Sequence, residues 1–411
     1  MHSLAYLLSA SACLSTVSAG VVIPQRSSRA ASSSIKAITT PTIPKISSTP
    51  VVQAAGAPTT TSTTYPTGTL PDPATFKTQN GTKWSIQYVG NTKFSGTVGT
   101  KGFGGDKCRS SVLGGKVIWN CGDMECMPDW TVCGFSMGPA FYGTTDVMTV
   151  NTSAVQYAQD WNFAQPWSGD PTPQAPQTGW GMDTSNIAAI NDTHGVAYAW
   201  EIWRGASDGS YVDRGNAVVA VTLGATKPIA TRMGPLLSGP NAVQMGLLSI
   251  LRDGDYIYSY SMGGPTGIVV GRVKAGDDAF DATKYQFLQA NDFATWGTPG
   301  SIPPGSTTTY GMKTAESSGK FACNVYGSVF YSNYFQKYVM ICTIYMSFTN
   351  MYVADNPWGP WSSQYGLLSG WGAGYGSHAH PEYSPNGSHK ELYFSQGPNG
   401  PFNMFKLTFN F

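Results

Sequence analysis

Short runs in which apolar and polar residues alternate recur from about residue 84 to the end of the chain. Alternation with a period of two is typical of a β-strand that buries one face. Pairs of turn-forming residues separate the runs, as at Gly114-Gly115, Asp253-Gly254 and Asn386-Gly387, and such pairs favour the tight turns of β-hairpins. No long segment has the helical period, so the pattern predicts an all-β fold.

The strand runs group into units of one form: a small or apolar strand, a polar turn, an aromatic strand and a further strand. Five units can be counted, and they begin near Asp106, Ile187, Met245, Val325 and His380. Repeated small antiparallel sheets are the organisation of a β-propeller, which closes on itself and protects its edges. The sequence therefore predicts a five-bladed β-propeller, with a β-sandwich or jelly roll as the alternative. The last strand, Phe405–Phe411, is expected to close the ring with Trp84–Val89.

Two N-terminal segments depart from the strand pattern. Residues 1–19 combine an apolar stretch with a small-residue cleavage site, which is typical of a secretory signal peptide. Residues 20–75 are rich in Ser, Thr and Pro, a composition that buries too little apolar surface to fold and is typical of a disordered, O-glycosylated stalk. We expect one propeller domain over residues 76–411, in a protein that is secreted or held in a cell wall.

The amino-acid composition narrows the classes of molecule that the protein is expected to bind. Charged residues make up 11% of the chain and the net charge is +1, so nothing favours nucleic acid or an anionic membrane surface. No stretch after the signal peptide reaches the roughly 18 apolar residues of a membrane span. Aromatic residues make up 13%, which suits a polysaccharide or oligosaccharide ligand because aromatic rings present apolar faces for stacking. We expect a monomer.

The cysteines and sequons agree with secretion. Six of the seven cysteines follow the signal peptide, and an even number in a secreted chain predicts disulfides. Several connectivities are possible, and one set pairs Cys108 with Cys121, Cys126 with Cys133, and Cys323 with Cys342. The four N-glycosylation sequons begin at Asn80, Asn151, Asn191 and Asn386.

Two aspartates flank the first predicted hairpin. Asp106 precedes it and Asp123 follows it, so the hairpin can bring both carboxylates to one end of a sheet. Paired carboxylates at one site are the minimal equipment for cleaving a glycosidic bond. Acids are scarce in this chain, which has only five glutamates. We therefore interpret Asp106 and Asp123 as the candidate catalytic pair.

The starts of the innermost strands of a propeller face its central channel, and this geometry selects further candidates. We expect substrate-binding side chains at Asp183, Gln244, Asn324, Tyr326, His378, His380 and Glu382, together with the loop aromatics Trp180 and Tyr375. The two histidines, one residue apart, could bind sugar hydroxyls, tune the carboxylates or ligate a metal. No cofactor is predicted, and a channel cation such as calcium is left open.

Four further charged residues have structural interpretations. Glu201 is expected to form a structural ion pair with Arg204 rather than to act in catalysis. Arg109 and Arg232 are equally compatible with surface positions.

The order of several motifs carries a family resemblance over most of the chain from about Gly99. The motifs are Gly-Gly-Asp, Ser-Ser-Val-Leu-Gly-Gly-Lys-Val-Ile-Trp and Gly-Asp within 104–123, then Asp253–Tyr260, Gly271-Arg272-Val273, Asn356–Trp361 and His380–Leu407. Together they resemble five-bladed β-propeller glycoside hydrolases of the domain of unknown function 4185 type, in a secreted, fungal-type form. Some members of that group are endo-D-arabinanases.

The resemblance implies a role for each aspartate. The group's blade-one aspartate pair matches Asp106 and Asp123, which implies a nucleophile and an acid/base in a retaining mechanism. The chain has Gly-Asp-Met where the group has Gly-Asp-Thr. Two alternatives stay open. One is a non-catalytic carbohydrate-binding or wall-associated propeller. The other is a relative of the inverting arabinosidase and xylosidase propellers, which is disfavoured because Gln244-Met245 offers no acid from the third blade.

Overall fold

The structure is a computed structural model. It describes residues 84–95, 102–127, 135–152, 162–205, 210–324, 326–345, 348–369, 375–397 and 402–410. The predicted signal peptide and stalk lie outside these residues, as do Cys133 and the side chain of Cys126, and with them the predicted Cys126–Cys133 pairing.

The described residues form 25 β-strands. In chain order they are β1 (Trp84–Asn91), β2 (Lys93–Phe94), β3 (Gly102–Gly105), β4 (Cys108–Leu113), β5 (Lys116–Cys121), β6 (Asp123–Met127), β7 (Phe135–Met137), β8 (Ala140–Gly143), β9 (Thr149–Asn151), β10 (Gly179–Thr184), β11 (Ala188–Ala189), β12 (His194–Arg204), β13 (Tyr211–Leu223), β14 (Pro228–Arg232), β15 (Ser249–Asp253), β16 (Tyr256–Met262), β17 (Ile268–Lys274), β18 (Gln286–Phe287), β19 (Gly327–Ser332), β20 (Lys337–Thr343), β21 (Phe348–Ala354), β22 (Tyr365–Ser369), β23 (Tyr375–Ala379), β24 (Glu391–Gly397) and β25 (Asn403–Phe409).

The helical elements within the described part of the chain are single 3-10 turns. They span Asp277–Phe280, Ala282–Lys284, Pro381–Tyr383 and Pro385–Gly387. None of them has the length or apolar content needed to cross a lipid bilayer.

The strands form five blades around a common axis. From the inside outwards, blade one is β4-β5-β8-β9-β2 and blade two is β10-β12-β13-β14, with β11 also paired to β12. Blades three and four are β15-β16-β17-β18 and β19-β20-β21-β22, and blade five is β23-β24-β25-β1. A separate three-stranded sheet, β3-β6-β7, adjoins blade one. The predicted five-bladed β-propeller is confirmed.

The innermost strands close into a ring. In blade two, β11 continues the inner edge beyond β10, since both pair with β12. Strands β4, β11, β15, β19 and β23 contact one another in succession, and β23 contacts β4. The ring is sealed by the first and last strands of the described chain: β1 pairs antiparallel with β25, from Trp84 opposite Phe409 to Asn91 opposite Asn403. The predicted closure by the C-terminal strand is confirmed. Blade five is thus built from strands near both ends of the described chain, and this closes the ring.

Two predicted unit starts are wrong. The fifth unit begins at Tyr375, so His380 follows the innermost strand of blade five rather than opening it. The second begins at Gly179, and its innermost strand is interrupted around Ile187 between β10 and β11. Both strands contain glycine and small residues with little periodic signal, which is why the alternation did not reveal them.

Hydrophobic clusters lie between neighbouring blades rather than in one central core. One cluster contains Tyr198 of blade two and Ile257 of blade three, and another contains Phe330 of blade four and Phe394 of blade five. Two predicted disulfides are confirmed, Cys108–Cys121 and Cys323–Cys342. Each fully buried large apolar side chain contributes about 1.5–3 kcal/mol, so packing between blades holds the ring together.

Candidate functional site

The first hairpin brings Asp106 and Asp123 to one end of blade one. Strands β4 and β5 are joined by Gly114 and Gly115, whose φ values of 53° and 76° are those of the left-handed region that glycine favours. The backbone N–H of Asp106 donates to the carbonyl of Asp123 at 3.0 Å. The carboxylates are partly accessible, with side-chain exposures of 15% for Asp106 and 31% for Asp123.

Asp106 is positioned by a tyrosine of blade five and by a glycine next to β5. The Tyr375 hydroxyl of blade five donates to its Oδ2 at 2.8 Å. Burial and the neighbouring carboxylate raise the pKa of Tyr375, so the phenol keeps the proton that it donates. The opposite carboxylate oxygen, Oδ1, lies against Gly122, where an added Cβ would approach it to 2.3 Å. Only glycine at position 122 leaves room for this carboxylate.

Lys107 is a buried cation between two acids. Its side chain is 3% exposed, with Nζ 2.9 Å from Asp183 Oδ2 and 3.7 Å from Asp106 Oδ1. The same ammonium lies 4.1 Å from the centroid of the Tyr326 ring, a cation–π contact. Burial alone would lower the pKa of Lys107, but the charges of Asp106 and Asp183 outweigh it and raise this pKa. Lys107 therefore stays charged beside Asp106.

Asp183 receives two cations. Besides Lys107, the Arg109 guanidinium lies 3.2 Å from its Oδ1. Burial acts to raise the pKa of Asp183, but the two cations outweigh burial and lower it. Arg109 also donates to the carbonyls of Thr184 at 2.7 Å and Leu247 at 2.9 Å. One guanidinium thus ties blades one, two and three together at the top of the channel.

Asp123 has the opposite electrostatic balance. Its Oδ2 pairs with Arg204 at 3.1 Å, yet burial, followed by the charge of Asp106, raises the pKa of Asp123 to about 6 against Arg204 and Lys107. A carboxyl with this pKa holds a proton in mildly acidic solution and can donate it. The cluster therefore combines an acid whose pKa is lowered, Asp183, with one whose pKa is raised, Asp123.

The two histidines occupy different environments. Nδ1 of His378 lies 2.9 Å from the Gly327 carbonyl, and burial, then Arg109 and Lys107, lower the pKa of this imidazole well below its usual value. His380 lies in the core between blades five and one, where its ring stacks on Trp119 at 4.4 Å between centroids. Both of its ring nitrogens face serine hydroxyls, and burial lowers its pKa to about 3.

The remaining predicted residues divide into two groups. Tyr326 and Tyr375 lie in the cluster, with ring centroids 5.7 Å apart. The others lie outside this cluster. Gln244 is half-buried in the turn before β15, and Trp180 packs against the core between blades one and two. Asn324 is exposed, and its side-chain oxygen accepts from the backbone N–H of Tyr345. Glu382 lines a cavity further along the channel.

Sequence reasoning missed Lys107 and Arg204. Lys107 adjoins a buried innermost strand, and a buried cation requires a partner, so its position next to Asp106 in the sequence indicates a charge pair. The predicted pair of Glu201 with Arg204 is wrong, because side chains three apart in a strand point to opposite faces. Glu201 pairs instead with Arg232 at 3.0 Å.

The expectation that Arg109 and Arg232 could be surface residues is also wrong, since both side chains are buried in ion pairs. Within the described ranges, no group of three or more His, Cys, Asp or Glu side chains is arranged to hold a metal ion.

Comparisons with known proteins address the fold. No protein-family model and no curated protein matches the sequence. Among solved structures, a protein of Bacteroides ovatus assigned as a hydrolase has a TM-score of 0.50 at 13% identity, covering 78% of this chain and 93% of its own. This likeness shows a shared fold.

Two enzymes are more distant in structure. An exo-beta-1,3-galactanase of Phanerochaete chrysosporium has a TM-score of 0.42 at 12% identity, covering 77% of this chain and 63% of its own. The GH43_1 enzyme of Xanthomonas citri, complexed with xylose, has a TM-score of 0.43 at 11% identity, covering 74% and 87%.

Proposed function

We propose that this chain is a secreted glycoside hydrolase that cleaves a cell-wall, plant or microbial polysaccharide with Asp106 and Asp123. One observation carries the proposal: two partly accessible aspartates, linked by a 3.0 Å backbone hydrogen bond, differ in their electrostatic surroundings. Asp106 lies beside the buried ammonium of Lys107, whereas the pKa of Asp123 is raised to about 6. A pair of carboxyl groups in unlike environments is the arrangement that glycosidic cleavage requires.

The roles follow from these surroundings. The Asp106 carboxylate attacks the anomeric carbon, and Asp123 donates its proton to the leaving oxygen as the glycosidic bond breaks. Asp123, now ionised, then takes a proton from water, whose oxygen attacks the same carbon and releases Asp106 as a carboxylate. The product keeps the anomeric configuration. Tyr375 and Lys107 orient Asp106 throughout.

Arabinofuranan is the first substrate to test, because the motif order between residues 104 and 407 resembles propeller hydrolases that include endo-D-arabinanases. The aromatic rings of Tyr326 and Tyr375 beside Asp106 offer surfaces for a sugar ring.

The test uses the near-isosteric variants Asp106→Asn and Asp123→Asn. Release of reducing ends is measured from arabinan, xylan and β-1,3-galactan, and thermal unfolding checks that each variant is folded. We expect each variant to lose about 10²–10⁴-fold in activity on the substrate that the wild type cleaves. Wild-type levels of activity in both folded variants, or an inert wild type on a broad glycan panel, would contradict the proposal.

A second experiment separates the roles. In Asp106→Gly, added azide is expected to form a glycosyl azide of inverted configuration, since it replaces the missing nucleophile. In Asp123→Gly, azide should give an azide of retained configuration instead. Identical products from both variants would contradict the assigned roles.

The Arg204–Asp123 ion pair at 3.1 Å favours a second candidate, a non-catalytic carbohydrate-binding propeller in which Asp123 stays ionised. This candidate predicts that the wild type binds one of the glycans above and releases no reducing ends from it.

A further inference from the structure

The central hairpin of blade two is longer than its counterparts. Strands β12 and β13 have 11 and 13 residues, whereas β16 and β17 of blade three have 7 each. The register shifts between Glu201 and Ile202, which is the mark of a β-bulge. Bulges re-aim side chains and are frequent beside active sites. We call residues 200–204 and 211–216 the blade-two extension.

The extension is fixed by its own contacts. The Asp213 carboxylate accepts from the Trp200 indole N–H at 2.9 Å and from the backbone N–H of Gly215 at 2.9 Å. Its other oxygen accepts from the backbone N–H of Asn241 at 3.0 Å. The Trp200 ring meets the Tyr211 ring edge to face, with centroids 5.5 Å apart. The two aromatic rings are therefore held in place before any ligand arrives.

One face of the extension leads to the candidate acid. Arg204 and Tyr211 are directly opposite in the β12–β13 register, so their side chains share a face. At one end of this face, the Arg204 guanidinium forms an ion pair with Asp123 at 3.1 Å. Tyr211 is 46% exposed, which leaves part of its ring available to a ligand that lies along this face.

We propose that Tyr211, supported by Trp200, is a sugar-stacking subsite for the leaving-group part of the substrate. The inference rests on the proposed function, in which Asp123 protonates the leaving oxygen, so the surface continuous with Asp123 meets the departing sugar. An aromatic ring held edge-on by a neighbour presents an apolar face to a sugar ring. The substrate class is therefore an oligosaccharide or polysaccharide that continues beyond the cleaved bond, in preference to a terminal glycoside with a small leaving group.

A kinetic experiment tests the subsite with the wild type, Tyr211→Ala and Tyr211→Phe. On the polysaccharide that the wild type cleaves, Tyr211→Ala should raise KM about three- to tenfold, the loss of one stacking contact, and Tyr211→Phe should stay within about twofold. On the corresponding glycosyl fluoride, whose leaving group has no ring, all three proteins should have the same kcat/KM. The matched control is Phe348→Ala, since Phe348 is a 43% exposed aromatic residue on blade four. This variant should leave KM for the polysaccharide and kcat/KM for the fluoride unchanged.

A binding experiment makes the failure of this inference distinguishable from that of the proposed function. Affinity electrophoresis in soluble arabinan or xylan uses Asp106→Asn alone and combined with Tyr211→Ala or Phe348→Ala. We expect retardation that Tyr211→Ala weakens and Phe348→Ala does not. Equal retardation of all three would overturn the subsite and leave hydrolysis standing. Weakened retardation with an inert wild type would support the sugar surface and overturn hydrolysis.

Discussion

Buried carboxyl groups at the two ends of the channel have pKa values that are shifted in opposite directions. At the top, Asp183 lies between Lys107 and Arg109, and these cations lower its pKa in spite of burial. Further along, Glu382 lines a cavity of about 50 Å³, and burial raises its pKa to about 7 against a hydrogen bond with Ser110. Within the described part of the chain, Glu382 forms no ion pair with Lys, Arg or His.

The comparison shows that the presence of neighbouring cations, rather than the degree of burial, determines whether the pKa of a carboxyl group in this channel is lowered or raised. Asp183 lies in β10 of blade two and Glu382 lies in the 3-10 turn after β23 of blade five. Of these two acids, only Asp183, the acid beside Lys107 and Arg109, has a lowered pKa. A protein that needs a fixed negative charge at one end must bury positive charges with it, and the buried pair is costly unless both members stay.

The largest effect is expected from Lys107→Met, which removes the cation between Asp106 and Asp183. Breaking a buried ion pair costs about 3–5 kcal/mol, because the remaining charges stay uncompensated. The free energy of unfolding in urea at pH 7 should fall by that amount. Lys116→Met is the control, an exposed lysine of the same hairpin, and it should change little. Equal losses in the two variants would contradict the importance of charge compensation.

Glu382→Gln probes the other end of the channel. Because the pKa of Glu382 rises from its ordinary 4.5 to about 7, the folded protein binds this proton more tightly than the unfolded chain. Wild-type stability should therefore fall as pH rises from about 4.5 to about 7. The variant removes that fall, so at pH 8 its free energy of unfolding should exceed that of the wild type by about 1–3 kcal/mol.

Urea unfolding at pH 4, 6 and 8 measures this difference. Glu391→Gln is the control, since Glu391 is a partly exposed acid 3.6 Å from Lys406. An advantage of Glu382→Gln that is the same at pH 4 and at pH 8 would contradict the raised pKa.

The smallest effect concerns the acid that titrates between these extremes. Asp123 must be protonated to act as an acid, so kcat/KM should fall as pH rises through about 6. Arg204 lowers the pKa of Asp123, so Arg204→Met should move that fall to higher pH by about half a unit to one unit. Arg214→Met, on the same hairpin with its guanidinium 4.1 Å above Trp203, should leave the profile in place.

The same shift can be measured without turnover, from the ¹³C chemical shift of the Asp123 carboxyl group during a pH titration. A shift to lower pH in Arg204→Met would reverse the expected sign and would contradict the electrostatic account of the site.

Much of the fold could be predicted from local signals. Glycine pairs such as Gly114-Gly115 set hairpin turns by positive φ, and period-two alternation set the blades. The proximity of Asp106 and Asp123 also followed, because a single hairpin separates them. These inferences need only residues that are close in sequence or that repeat a pattern.

The rest of the site depends on contacts that no local pattern encodes. Arg204 and Asp123 are 81 residues apart, and their pairing follows from the bulge and the length of the blade-two extension. The alternation predicts His380 at the start of an innermost strand, but His380 follows that strand and packs against Trp119. Side chains at blade junctions are placed by the closure of the whole ring, and a sequence read one strand at a time does not contain that constraint.

The hydrogen bond from Tyr375 to Asp106 joins residues 269 positions apart. A ribosome makes the chain from the N-terminus, so Asp106 emerges long before the residue that orients it. The candidate nucleophile therefore acquires its working geometry only when blade five docks onto blade one, and an incomplete chain would carry Asp106 without its positioning partner. Contacts of such high sequence separation also slow folding, so under the proposed function activity should appear only after blade five has docked.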